Sequence, residues 1–80
     1  SDFSSIDFTY YPNPVKDQLN IHSKYKIVQI EIFNMNGQRI LSNQAVEQNV
    51  LDLSSLKAST YIIRATLENG TIETFKIIKQ

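Results

Sequence analysis

Two Asn-Gly pairs, Asn36-Gly37 and Asn69-Gly70, each join two runs of β-forming residues. Both residue types tolerate positive φ, which a two-residue type I′ hairpin needs at its two central positions. Two such hairpins commit the chain to antiparallel sheet. Ile27 to Phe33 leads into the first turn, with Val28, Ile30 and Ile32 on one face and Gln29 and Glu31 on the other. A two-residue turn sets Ile32 against Leu41 and Phe33 against Ile40, so both faces of the hairpin carry apolar pairs. The return strand is Arg39 to Ser42. The second turn joins an inward stripe of Tyr61, Ile63, Ala65 and Leu67 to a last strand from Thr71 to Ile78.

The second hairpin holds a conflict of register. An undistorted two-residue turn pairs Leu67 with Ile72 and Ile63 with Lys76. That buries Lys76, at a cost of several kcal/mol. One extra residue near Glu73 or Thr74, a β-bulge, removes the conflict. Ala65 then faces Phe75, Ile63 faces Ile77, Arg64 opposes Lys76, and Ile62 pairs with Ile78 on the outer face.

Ile6, Phe8 and Tyr10 alternate with Asp7 and Thr9 as a first strand, which Tyr11-Pro12-Asn13-Pro14 ends. Leu19 and Ile21 mark the second. Gln44 to Asn49 is a polar connection, and Val50 to Leu53 a short fifth strand. Ser54-Ser55-Leu56 suits a single helical turn capped by Ser54, with Leu56 closing the end of the core. Seven short strands with frequent turns predict an all-β fold, an Ig-like antiparallel sandwich. Eleven Ile, four Val and five Thr make a quarter of the 80 residues β-branched, in keeping with pleated sheet.

The length allows one domain, here residues 8–80, preceded by a short segment over residues 1–7. Eight basic residues balance eight acidic ones, which argues against an electrostatic grip on nucleic acid. No apolar run reaches a membrane span, and no basic-then-apolar leader opens the chain. With no cysteine there is no disulfide framework or thiolate metal site.

No catalytic or metal constellation stands out, and no cofactor is expected. The one histidine, His22, sits at an outward position without partners. The four Asp are scattered and form no calcium loop. Asp52 is placed to accept N–H groups of the Ser54-Ser55 turn rather than to act as an acid. Eight Ser lack the elbow and base that activate serine. Tyr61 belongs to the core stripe. Tyr10 and Tyr11 cannot both point inward, so one is exposed beside the proline turn, where it could stack on a sugar. The outer pairs Ile62–Ile78 and Phe33–Ile40 are either covered by other chain segments or form a docking surface. The last strand could also be an edge open to strand addition.

The ordered pattern resembles a known family. Tyr11-Pro12-Asn13-Pro14 comes before Leu19-x-Ile21. Ile30-x-Ile32-Phe33-Asn34-x-x-Gly37-Gln38-x-Ile40 follows, then Leu51-Asp52-Leu53-Ser54-x-Leu56 and Tyr61-x-Ile63. Asn69-Gly70 and Lys76-Ile77-Ile78-Lys79-Gln80 close it. Each piece occurs widely, but their order and spacing together resemble the C-terminal sorting domain of type IX (Por) secretion cargo in Bacteroidetes-group bacteria. One departure is Ser59, where the family usually has Gly. If that turn needs positive φ, Ser costs about 1 kcal/mol there.

The resemblance implies transport rather than catalysis. Such a domain sits at the C-terminus of a larger cargo protein, which reaches the periplasm by its own leader. The missing leader here fits an excised C-terminal piece. The outer-membrane translocon and a shuttle protein recognise the domain. A sortase-like protease usually removes it, leaving the cargo anchored at the cell surface or released. The resemblance places the signal in Lys76, Ile77, Ile78, Lys79 and Gln80; strand addition along the backbone edge, with Ile78 and Lys79, makes the expected recognition surface. It gives Tyr11, Pro12, Asn13, Pro14, Gly37, Leu51, Asp52, Leu53, Tyr61 and Gly70 mainly structural work. Cleavage is expected within residues 1–7. The alternative from the residues is a sandwich module that binds glycan or a cell-surface protein.

Overall fold

A computed structural model describes residues 8–43 and 50–80. Seven strands are present: β1 (Phe8–Tyr11), β2 (Gln18–Ser23), β3 (Ile27–Phe33), β4 (Arg39–Asn43), β5 (Val50–Asp52), β6 (Ser59–Leu67) and β7 (Ile72–Lys79). They form a three-stranded sheet, β1-β2-β5, and a four-stranded sheet, β4-β3-β6-β7. Every strand pair within the sheets is antiparallel. The chain changes sheet at β2–β3, β4–β5 and β5–β6, which is the connectivity of an Ig-like sandwich. Ile6 and the connection over residues 44–49 lie outside the described residues.

The core lies between the sheets. Phe8, Leu19, Ile21 and Leu51 come from the small sheet, and Ile30, Ile32, Ile63, Ala65 and Ile77 from the large one. The stripe of Tyr61, Ile63, Ala65 and Leu67 is buried throughout, as its alternation requires. Tyr61 also donates its hydroxyl to the Lys57 carbonyl, 2.8 Å away. This ties the start of β6 to the preceding corner, as tyrosine corners do in Ig-like sandwiches. Ser59 opens β6 and pairs regularly with Lys79, so the family's glycine position is here part of the ladder.

Both Asn-Gly turns are built differently from the expected type I′ form. Gly37 N–H donates to the Asn34 carbonyl, and Asn34 N–H to that of Gln38. Gly70 N–H donates to the Leu67 carbonyl, and Leu67 N–H to that of Thr71. Each loop therefore has three residues, with only the glycine at positive φ, +84° and +91°. This is the type I turn closed by a glycine bulge. In the first hairpin Phe33 pairs with Arg39, not Ile40. A register shift beyond it returns Ile32 to Leu41.

The second turn also settles the position of Lys76. The ladder runs unbroken from Thr66–Ile72 to Ser59–Lys79, so β7 contains no bulge. The extra residue is Gly70, in the loop. Ile63 faces Phe75 and Tyr61 faces Ile77 on the inner side. Lys76 pairs with Ile62, not Arg64, and Ile78 with Thr60, not Ile62. Lys76 is exposed, as expected, but for this different reason.

Two further local differences follow from backbone detail. A register shift between Ile27 and Gln29 buries Ile27 and turns Val28 out to solvent. Residues 53–56 form a turn rather than a helical one, closed by Leu56 N–H to the Leu53 carbonyl. Asp52, not Ser54, caps it: its Oδ1 accepts the Ser54 N–H at 3.0 Å. That bond holds the Asp52 carboxyl below its ordinary range. Leu56 packs against the core as expected.

Candidate functional site

The terminal strand is the last strand of the large sheet, with β6 on one side only. Alternation divides the five terminal residues. Ile77 is a core residue, and Lys79 is 7% exposed, on the inner side opposite Ser59. Lys79 Nζ donates to the Gln80 carbonyl at 2.9 Å. Lys76, Ile78 and Gln80 are exposed, with Ile78 at 48%. Lys79 is therefore buried, whereas the sequence reading sets it beside Ile78 on an exposed surface.

The outer edge of β7 is also partly closed. The Leu67–Thr71 pair bonds directly, so residues 73, 75, 77 and 79 aim their backbone groups at β6. The even-numbered residues aim theirs outward. A strap formed by the Tyr11–Val15 segment meets them there. Asn13 Oδ1 accepts the Ile78 N–H at 2.9 Å, and Asn13 Nδ2 donates to the Lys76 carbonyl at 3.3 Å. Val15 N–H donates to the Ile78 carbonyl, and Gln80 N–H to the Val15 carbonyl, both at 2.8 Å. Val15 thus forms a parallel bridge with Lys79 and is itself fully buried. Both X-Pro bonds of the strap, Tyr11-Pro12 and Asn13-Pro14, are cis. Further along the edge, Ile72 and Thr74 have no such cover among the described residues.

The outer face of the large sheet carries a second cluster. Glu31 sits centrally on β3, with Arg64 beside it on β6. Its Oε1 accepts Arg64 Nε at 2.9 Å and a second Arg64 bond through Nη2, while its Oε2 accepts Arg39 Nη1 at 3.0 Å. These bonds, Arg64 first, hold the Glu31 carboxyl below its ordinary range against the opposing effect of burial. The Arg64 guanidinium also lies 5.4 Å from the centre of the Phe33 ring.

Other candidates remain apart. His22 is exposed on β2. No group of three or more His, Cys, Asp or Glu among the described residues could hold a metal ion. Tyr61 is core, and Tyr10 is half-buried, stacked on Phe75 with centroids 4.1 Å apart. Tyr11 and Tyr25 are the exposed tyrosines, at opposite ends of the β1–β2 ladder. They do not make one aromatic platform. Neither the strap nor the Glu31–Arg64 pair is legible in the sequence, because each joins residues far apart in the chain.

Residues 9–80 match the family model described as a secretion system C-terminal sorting domain. The chain belongs to this family, the type IX sorting domains. The sorting domain is also similar to beta-agarase D of Zobellia galactanivorans, at 35% identity over 68 residues. That match covers 85% of this chain and 14% of the agarase, so the chain spans a small part of that relative. A C-terminal sorting domain of this kind is an export signal, and it marks its carrier for the cell surface or for secretion.

Proposed function

We propose that this chain is a non-enzymatic signal that carries an attached N-terminal cargo through the type IX outer-membrane translocon. The family membership carries this reading. The cargo reaches the periplasm by its own leader. The folded sandwich is then recognised there by the translocon and its shuttle protein. Recognition centres on Lys76 to Gln80, where Lys76, Ile78 and Gln80 face outward and Ile77 and Lys79 hold the strand in place. Pro12, Asn13 and Pro14 shape the strap over that strand. Gly37, Gly70, Asp52 and Tyr61 fix the turns, and Leu51 and Leu53 fill the core. A sortase-like protease then cuts within residues 1–7, and the cargo is anchored or released.

The test is a fluorescent reporter with a periplasmic leader, fused ahead of residues 1–80. It is expressed in a type IX-competent bacterium and in a translocon-null strain. Export to the surface or medium only in the competent strain is the expected outcome. Periplasmic retention of the intact fusion in both strains refutes the proposal.

A further inference from the structure

The outer face of the large sheet is ordered in rows across the strands. One row reads Lys76, Ile62, Phe33, Arg39, through the pairs Ile62–Lys76, Phe33–Ile62 and Phe33–Arg39. The adjoining row holds Thr74, Arg64, Glu31 and Ser42. The first row is a cation, two apolar side chains and a second cation. Four strands in line place the two end positions roughly 14 Å apart, at about 4.8 Å per strand step.

Charge on this face is not balanced, although the whole chain sums to zero. Among the described residues of these two rows, three cations, Arg39, Arg64 and Lys76, stand against Glu31. The Glu31 side chain is 9% exposed, while those of Arg39 and Arg64 are 57% and 45% exposed. The carboxylate is buried and the guanidiniums are exposed, so these rows present more positive than negative charge to solvent. Ile78, on the neighbouring row beside Thr60, extends the apolar area toward the chain end.

The backbone edge is the weaker candidate. Asn13 and Val15 already occupy the outward groups of Ile78, that of Gln80 and the Lys76 carbonyl. Among the described residues, Ile72 and Thr74 alone on β7 offer both backbone groups, too short a run to hold an added strand by its ladder.

We infer that the sorting partner docks on the row Lys76–Ile62–Phe33–Arg39, through an acidic protein surface whose carboxylates flank an apolar centre. The inference rests on the export reading above and names the surface that does the work. Apolar contact at Ile62 and Phe33 gives affinity, and the two end cations set orientation. The strap keeps the edge out of the contact and holds Lys76 and Ile78 in place.

The same reporter fusion tests it, with the wild-type chain as reference. Lys76→Glu reverses one end of the row, Lys76→Gln neutralises it, and Arg39→Gln neutralises the other while leaving Arg64 on Glu31. Lys24→Glu makes the same charge change away from this face. Thermal unfolding of each variant domain checks folding. Lys76→Glu is expected to lower export about tenfold or more, and each neutral variant by less. Lys24→Glu is expected to stay within about twofold of wild type. Normal export of folded Lys76→Glu overturns the inference while leaving the export reading intact. An equal loss with Lys24→Glu overturns it too, since net charge and not this face would then matter. A rise in export with Asn13→Ala, which loosens the strap, would place recognition at the edge and also overturn it. Retention of the wild-type fusion overturns both readings together.

Discussion

Replacing Asn13 by Ala should free one end of the terminal strand without disturbing the other side. The Asn13 side chain makes two bonds to β7: a good one from the Ile78 N–H at 2.9 Å and a longer one to the Lys76 carbonyl at 3.3 Å. Both lie at the surface, where water can replace them. A hydrogen bond of this sort contributes about 1 kcal/mol net, and the longer one only a fraction of that. The expected loss is therefore about 1–1.5 kcal/mol, or a fall of ~4–8 °C or somewhat more in melting temperature for a domain of this size. The sharper signal is local. Amide exchange at Ile78 should accelerate by about tenfold beyond the change seen at Ile77, whose N–H faces β6. Asn13→Asp keeps the acceptor and loses the donor, so Ile78 should stay protected. Residue-resolved exchange by NMR on all three proteins is the assay. If Ile78 exchanges alike in Asn13→Ala and wild type, the strap does not hold that edge, and the reasoning fails.

The parity of β7 predicts opposite results for neighbouring substitutions. Ile77→Ala should cost about 2–5 kcal/mol through lost core packing, while Lys76→Ala should stay within about 0.5 kcal/mol; urea titrations of both variants decide this. Glu31→Gln should be less stable than wild type at neutral pH. The folded state lowers the Glu31 pKa from its ordinary value of 4.5. The carboxylate's contribution is thus complete above that value and fades as pH falls through the lower folded one. Melting curves from pH 7 to pH 3 should show the gap closing on the acid side, and a gap that stays constant counts against this assignment.

Much of the sandwich was legible because alternation is a local signal. The bounds of β3 and the buried stripe of β6 followed directly from which positions repeat with period two. Val28 escapes this rule, because Ile27 and Val28 are both apolar and either can take the inner position once the strand bulges. The two Asn-Gly pairs mark where the chain turns but not how long each loop is. Asn-Gly suits both a two-residue turn and a three-residue loop, and the residues of the turn do not separate them. The misfit of Lys76 carried that information, since a three-residue loop places Phe75 and Ile77 inward with no distortion of the strand. A bulge in β7 was the wrong repair of a real conflict. Among the site residues, the exposure of Lys76 and Ile78 could be read from the parity of a strand. Lys79 follows the same parity inward, but the dependence of the strand's edge on Asn13 and Val15, from the other end of the chain, leaves no local signal.

That dependence gives the terminal strand a property the β6–β7 hairpin could not have alone. Asn13 and Ile78 are 65 residues apart in sequence. Their bond closes almost the whole chain into a ring, and such long loops are late to form. The setting of Lys76 and Ile78 thus rests on the strap and the large sheet together. An unfinished or misfolded copy would contain the same five residues but would display them differently. The arrangement of the tail is therefore a property of the whole domain and not of its own five residues.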